Sequence, residues 1–301
     1  MSSVPESVIE LARARQAARA AKDFALSDSL RDQILHHGFE VLDTDGGFSF
    51  RAKNPFPVLE RIGDLRSFTD KKFPIAIGLI LDGFLDDAVI TIAAIKKYSP
   101  ADTAILILIS GTPDLAGIAL ELDDRTFITQ INAGVGWGEA ANALLKLSPA
   151  PFMIIMDPST RFTADAVTPS LATLRAGDFS AVGWHGGLVN VADDWRSVDD
   201  KGPGEVDVLF SYFMVLNVEH ALGAGGFNNR ALYYRNADIE FSLRLRQARG
   251  RLLQADLPLE QACHHGYYDT DESYRDEQSK KTYDRILERF RGKTEILTDR
   301  R

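Results

Sequence analysis

Residues 74–83 have the sequence Pro-Ile-Ala-Ile-Gly-Leu-Ile-Leu-Asp-Gly, an apolar run that ends in an acid and a glycine. A strand that is apolar at every position is buried on both faces, which is typical of parallel sheets covered by helices. Residues 104–109 and 152–156 form two similar runs, and 127–129 suggests a short strand between them. A helical pattern over residues 86–98 follows the first run. This alternation predicts an α/β domain with a mostly parallel sheet flanked by helices.

Polar residues directly follow three of the predicted strands, namely Asp82, Ser110 and Asp157. Ligands bind beyond the carboxyl ends of the strands in such sheets, so we expect the three side chains at the mouth of one cleft. Pro158 restricts Asp157 to an extended backbone and fixes its carboxylate at the strand end. A carboxylate there can hold a divalent cation, Mn²⁺ or Mg²⁺, that neutralises a diphosphate. The alternative is an acid that only caps the next turn.

A second informative stretch is a glycine turn, Gly225-Gly226-Phe227, followed by a predicted helix that begins with Asp238 and Glu240. The free N–H groups of a helix N-terminus stabilise an anion. A carboxylate held in this way beside a cleft can act as a general base. In such a pair, at least one acid usually serves only to stabilise the helix through its dipole. Arg244, further along the helix, is expected to orient Glu240, to meet a phosphate or to lie in solvent.

The segment from Asn132 to Asn142 is dense in glycine and opens a predicted helix. A bare loop before a helix, here around Gly134, suits a nucleotide or a phosphate. Its glycine spacing differs from the dinucleotide-binding fingerprint. A tight turn with a helix cap is the alternative interpretation.

Two adjacent histidines, His264 and His265, precede Gly266. A histidine pair alone is a weak indication of a metal site. Cys263 beside them is expected to be a small buried hydrophobic residue. Because it is the only cysteine, an internal disulfide and a cysteine-rich zinc site are excluded.

Together these motifs resemble the family-2-like glycosyltransferases of GT-A fold over residues 73–291. The resemblance implies metal-assisted, inverting transfer of a sugar from a nucleotide-diphospho sugar to an acceptor hydroxyl. It implies Asp238 as the general base with Glu240 beside it, the Gly-Gly-Phe turn on the acceptor side, and a metal held by Asp157 and His264, with His265 as the fallback. The implied donor-binding residues are Asp82, Ser110, Asn132, Gly134, Asn142 and Arg244.

The chain departs from this family's pattern at two positions. Ser159 replaces the second acid of the metal motif, and Ser110 stands where an acid is common in the nucleotide site. These departures leave a non-catalytic, nucleotide-binding protein as the alternative to an enzyme.

The first 53 residues predict a separate pattern of two helices and two short strands. Residues 6–22 predict a strong helix, Ser27 and Asp28 can cap a second helix that runs to His37, and residues 39–50 predict two short strands around a glycine turn. Residues 17–51 resemble the C-terminal helical hairpin of cysteinyl-tRNA synthetases, which lies against the tRNA. This implies a tRNA-associated role or a module borrowed for packing or docking. Residues 6–53 hold eight acids and seven bases, so the module is nearly neutral.

The net charge and the distribution of apolar residues give the remaining expectations about function and location. The formal net charge of −9 argues against a general nucleic-acid binder, since phosphate contacts need a basic surface. No apolar run approaches the roughly 20 residues of a membrane span, and no signal-peptide pattern begins the chain. We therefore expect a cytoplasmic protein with a hairpin module over residues 1–53, a linker over 54–72 and a glycosyltransferase-like domain over 73–301.

Overall fold

The computed structural model describes residues 4–44, 46–113, 123–262 and 264–300. The prediction for Cys263 falls outside these residues. Packing divides the chain into two units, Met1–Pro57 and Val58–Arg301.

The first unit consists of two helices and a β-hairpin. Its elements are α1 (Glu6–Ala20), α2 (Phe24–His36), β1 (Phe39–Thr44) and β2 (Gly47–Ala52). The strands pair antiparallel from Phe39 opposite Ala52 to Thr44 opposite Gly47, as the glycine turn predicts. The capping prediction was wrong. Asp23, not Ser27, caps α2 by accepting the Leu26 N–H at 3.0 Å, and Ser27 is buried inside the helix. The reason is the left-handed turn at Lys22 (φ 61°), which starts the helix earlier.

An ion pair between a buried arginine and a half-exposed aspartate stabilises the first unit. Arg15 is 5% exposed and donates two hydrogen bonds to Asp43, at 2.7 and 3.1 Å. The guanidinium holds the pKa of the Asp43 carboxyl below its usual range. The core beneath it is formed by Val8, Ala12 and Ile34 with the aromatic residues of the hairpin.

The second unit contains one large sheet with helices around it. Its strands in chain order are β3 (Val58–Leu59), β4 (Ile75–Leu81), β5 (Thr103–Ser110), β6 (Thr126–Ile131), β7 (Phe152–Met156), β8 (Thr160–Phe162), β9 (Ala181–Gly183), β10 (Gly186–Val189), β11 (Val198–Asp199), β12 (Gly204–Val206), β13 (Val208–Leu209), β14 (Phe213–Asn217), β15 (Leu252–Gln254) and β16 (Leu259–Gln261). Its helices are α3 (Leu85–Tyr98), α4 (Trp137–Lys146), α5 (Val167–Arg175), α6 (Val218–Gly223), α7 (Ala237–Gln247), α8 (His265–Tyr268) and α9 (Glu272–Phe290).

Across the described residues the large sheet has the order β12-β15-β9-β14-β7-β4-β5-β6-β3. The run from β7 to β3 is parallel throughout, and β14 is antiparallel to both of its neighbours. Every residue of β4 and β5 is buried, which is why their sequences carry no polar alternation. The predicted mostly parallel sheet is confirmed. Because β4 lies between β5 and β7, Asp82 and Asp157 follow neighbouring strands.

The predicted linker differs from the structure. Val58 and Leu59 pair in parallel with Gln130 and Ile131, so part of residues 54–72 is the edge of the large sheet. A two-residue strand is too short to show a periodic pattern, and its register is fixed by the partner strand.

Helix α9 packs an apolar face against a core cluster of the second unit. Ile286 and Phe290 of α9 are buried, and Tyr283 and Leu287 pack against the same cluster. Among the helices of the described residues, none is both long and apolar enough to cross a membrane.

Candidate functional site

A cavity opens at the carboxyl ends of β4 and β7. Its enclosed volume is about 60 Å³ and the rest is open to solvent, so a ligand larger than a few waters must extend out of its mouth. The polar residues on its walls include Asp82, Asp87, Asp157, Ser159, Ser211 and Tyr234.

Asp157 lines this cavity, and His264, which is not itself on the wall, contacts three wall residues through a hydrogen-bond network. Asp157 Oδ1 accepts the Ser159 N–H at 2.8 Å and the Ser159 hydroxyl at 2.5 Å. The His264 Nδ1 lies 3.1 Å from Ser159 Oγ and 3.6 Å from Asp157 Oδ1. The other ring nitrogen, Nε2, lies 2.6 Å from the Tyr234 hydroxyl. Residues far apart in sequence are thus held side by side at the strand end.

His265 lies elsewhere. Its Nε2 is 3.8 Å from Asp87 Oδ1, its Nδ1 contacts Asp269, and its ring stacks on Phe84. Of the two histidines, His264 is therefore the one next to Asp157. No three histidine, cysteine or acidic side chains of the described residues converge as a metal cluster.

The cavity carries an excess of acids. Asp82 is exposed at the mouth, but the surrounding walls displace water and raise the pKa of its carboxyl, and the charge of Asp157 raises it further. Burial likewise raises the pKa of Asp87, against the lowering effect of His265. A cation at this place would relieve the repulsion.

Asp238 lies behind the cavity wall at the start of α7. It is 6% exposed, and its Oδ2 accepts the Ser211 N–H at 2.8 Å and the Ser211 hydroxyl at 3.1 Å. Burial raises the pKa of Asp238 to about 6, against the lowering effect of these hydrogen bonds. Ser211 itself lines the cavity, so its hydroxyl connects Asp238 to that space.

Glu240 has a different environment from Asp238. It is 2% exposed, accepts from Asn228 Nδ2 at 2.7 Å and from Arg244 Nη2 at 3.2 Å, and pairs with Arg285 at 3.5 Å. Arg244 also donates to the Gly226 carbonyl at 3.2 Å. Neither Glu240 nor Arg244 is on the cavity wall. Of the roles considered for Arg244, orienting Glu240 is the one its contacts match.

The Gly-Gly-Phe turn is held by α4. Gly225 and Gly226 have φ values of 95° and 64°, which favour glycine. The Asn142 side chain accepts the Phe227 N–H at 2.9 Å and donates to the Phe227 carbonyl at 2.8 Å. Asn142 is 6% exposed. The structure therefore places it under the turn, outside the cavity wall.

The glycine-dense loop does not offer a bare helix N-terminus. The N–H groups of Trp137 and Gly138 donate to the carbonyls of Leu232 and Ala231, at 3.0 and 2.8 Å. These two N–H groups are therefore not available to a phosphate, and the turn-and-cap alternative matches their contacts. Both N–H groups are hydrogen-bonded to carbonyls of residues 231–232, which are distant in sequence.

The remaining predicted donor residues lie outside the cavity wall. Asn132 donates to Glu60 at 2.8 Å, and Ser110 Oγ accepts the Val135 N–H at 2.8 Å. Gly134 has open space around its Cα. Of the predicted donor set, the structure brings only Asp82 to the wall beside Asp157.

Sequence reasoning missed several residues of the wall, among them Asp87, Ser211, Tyr233 and Tyr234. Tyr233 and Tyr234 come shortly before α7, whose first turn holds Asp238 and Glu240. Their position next to this motif could have indicated that they lie near the site. Ser211 had no such indication, because it lies between short strands in a region without periodicity.

Comparisons with known proteins agree with the fold. No family model matches the chain. The structure of GalNAc-T7 with UDP, GalNAc and Mn²⁺ is similar, with a TM-score of 0.55, 12% identity, and coverage of 73% of this chain and 48% of that one. The mannosyltransferase PcManGT from Pyrobaculum calidifontis, in complex with GDP-Man and Mn²⁺, has a TM-score of 0.49, 14% identity, and coverage of 82% and 65%. The predicted GT-A fold is confirmed.

Two curated proteins share a short segment with the chain. The cysteine–tRNA ligase of Limosilactobacillus fermentum is 47% identical over 49 residues, or 16% of this chain and 10% of the ligase. That of Novosphingobium aromaticivorans is 60% identical over 43 residues, or 14% and 9%. The chain thus spans about a tenth of the length of the curated relatives it matches.

Proposed function

We propose that the second unit transfers a sugar, with inversion, from a nucleotide-diphospho sugar to an acceptor hydroxyl. The observation that carries this proposal is the convergence of two groups on one cavity of a GT-A fold. Asp157 lies on its wall with His264 3.6 Å away, and Ser211, also on the wall, bonds to the buried acid Asp238.

The residues fit a divalent cation. Asp157 Oδ1 and His264 Nδ1 are 3.6 Å apart, and two ligands of one ion at about 2.1 Å each lie within about 4.2 Å of one another. A carboxylate and an imidazole are ligands that such ions accept. The donor diphosphate and water would complete the coordination. When bound, the cation would neutralise the charge of the departing diphosphate.

The proton from the acceptor passes to Asp238. Ser211 lines the cavity and its hydroxyl donates to Asp238 Oδ2 at 3.1 Å, so in this proposal the hydroxyl gives its proton to Asp238 as it takes the acceptor's. The acceptor oxygen bonds to the anomeric carbon, and the electron pair of the broken bond leaves with the nucleoside diphosphate. A pKa of about 6 keeps Asp238 mostly ionised at neutral pH, as a base requires.

A thermal-shift screen tests the donor site. Nucleoside diphosphates with Mn²⁺ or Mg²⁺ are expected to raise the melting temperature by about 5–10 °C at a hundredfold excess over Kd, because they bind only the folded state. Asp157→Ala is expected to remove the metal-dependent part of the shift, since it deletes one of two protein ligands.

Asp102→Ala is the matched control. This exposed acid precedes β5 and so lies at the amino end of the sheet. It should leave the shift unchanged. A shift that is identical in Asp157→Ala and the parent protein would contradict the proposed metal site.

Two other functions have specific support. Ser159 in place of an acid favours a nucleotide-binding protein without turnover; a nucleotide shift with no release of nucleoside diphosphate from any sugar nucleotide would select it. The short likeness to cysteine–tRNA ligases favours a tRNA-associated scaffold. A tRNA gel shift by the full chain that is lost without residues 1–57 would select that role.

A further inference from the structure

A second cavity, of about 300 Å³, is formed by residues next in sequence to those of the first. Tyr234 lines the first cavity, whereas Arg235 and Asn236 line the second. Consecutive Cα atoms are 3.8 Å apart, so the two cavities flank one short segment. The segment continues into Asp238, and Ile239 again lines the second cavity.

The apolar part of the second cavity's wall belongs to the core of the second unit. It includes Trp195, Leu243, Tyr283 and Ile286, and all four belong to or pack against one core cluster. Trp195 is 4% exposed, and its carbonyl accepts the Tyr283 hydroxyl at 2.6 Å. Asp194 and Trp195 both have left-handed backbones, with φ of 64° and 67°. The loop thus adopts an uncommon conformation that places an indole in the wall.

Two arginines stand at the mouth. Arg196 and Arg235 are both exposed members of the lining. The Arg235 guanidinium lies 5.1 Å from the centre of the Tyr267 ring and donates to its hydroxyl at 3.3 Å. That ring is stacked parallel to His264, with centres 6.2 Å apart. A partly apolar cavity with two exposed arginines in its lining complements a ligand that is apolar at one end and anionic at the other. The nearby carboxylates Asp193 and Asp194, which act on Arg196 and Tyr283, partly offset the positive charge.

We propose that the second cavity binds the apolar part of an anionic acceptor, whose charged group lies at Arg235 and Arg196. This inference rests on the proposed function, because it names the acceptor class for the same site. The volume is at the lower end of small-molecule pockets and suits a bicyclic aromatic or a short branched chain. We place the hydroxyl of such a ligand toward the first cavity, past the segment that carries Tyr234 and leads into Asp238.

Calorimetry of the full chain with 1-naphthyl phosphate, and with 1-naphthol as its uncharged counterpart, tests the inference. The phosphate is expected to bind at least tenfold more tightly than the naphthol. Arg235→Gln should remove most of that tenfold preference. Ser197→Trp, which adds bulk to the cavity lining, should abolish binding of both probes. Arg175→Gln on α5 is the matched control, and it should bind as the parent does.

The nucleotide thermal shift, measured on the same preparations, separates the two proposals. If the shift is present but naphthyl phosphate does not bind, or binds equally to Arg235→Gln, the acceptor site is wrong and the proposed function stands. If naphthyl phosphate displaces the nucleotide, the second cavity is not a separate acceptor subsite. Simultaneous binding of the nucleotide and naphthyl phosphate supports the inference, provided that Arg235→Gln loses its preference for the phosphate over the naphthol. Because Arg235 is exposed, this result can be read even if Ser197→Trp does not fold.

Discussion

Replacing Asp238 with Asn is expected to lower sugar transfer by about a thousandfold and to leave metal-dependent nucleotide binding intact. General-base catalysis contributes about a hundredfold to ten-thousandfold, and an amide cannot take the acceptor's proton. The amide oxygen can still accept the Ser211 N–H, and the substitution gives up only the bond that Oδ1 accepts from the Ile239 N–H. Asp165→Asn is the matched control, since Asp165 caps α5 by accepting the Val167 and Thr168 N–H groups.

The same substitution should not weaken the fold at neutral pH. The folded pKa of Asp238, about 6, is above its ordinary value of 3.8, so the folded state binds more protons than the unfolded state between these values. The contribution of Asp238 to the free energy of unfolding therefore falls as pH rises from about 4 to 6. Above pH 6 the full cost of burying the charged carboxylate is present. Removing the charge should recover on the order of 2–3 kcal/mol there.

Two measurements check this prediction. Melting curves from pH 4 to 8 should show the Asn variant gaining on the parent as pH rises. Transfer by the parent should fall below pH 6, as the base is protonated. Turnover by the Asn variant near the parental rate would remove Asp238 from the mechanism.

Gly138→Ala is expected to destabilise the protein by about 3 kcal/mol or more and to reduce activity. A Cβ at Gly138 would lie 2.1 Å from the Asn228 carbonyl oxygen, a backbone atom that cannot move without displacing the segment before Tyr233. The close approach is fixed by the hydrogen bond from the Gly138 N–H to Ala231.

Gly134→Ala, in the same loop, is the matched control because nothing lies within 4 Å of its added Cβ. It should change stability by less than about 0.5 kcal/mol. Urea unfolding compares the two variants. Equal midpoints would show that the loop and the 228–232 segment do not pack as described.

The parts of the site that follow from single strands were predictable from sequence. Asp82 and Asp157 lie together because apolar runs predict buried parallel strands whose ends share an edge. Asp238 stands at a helix start because the glycine turn and the acids are local signals. The occupied N–H groups of Trp137 and Gly138 were not predictable, since their partners lie over ninety positions away and no local pattern encodes that pairing. Ser211 was missed for the same reason.

The tautomer of His264 is coupled to the hydrogen bonds on both sides of its ring. In the arrangement where Ser159 gives its hydroxyl proton to Asp157, Nδ1 donates to Ser159 and Nε2 accepts from Tyr234. A ligand nitrogen must be free of hydrogen, so a His264 that held a cation through Nδ1 would carry its hydrogen on Nε2 and donate to the Tyr234 oxygen. The Tyr234 hydroxyl would then donate to another acceptor, such as Tyr233, with which it already interacts. The metal site and the tyrosine pair on the cavity wall would thus respond to each other through one imidazole ring.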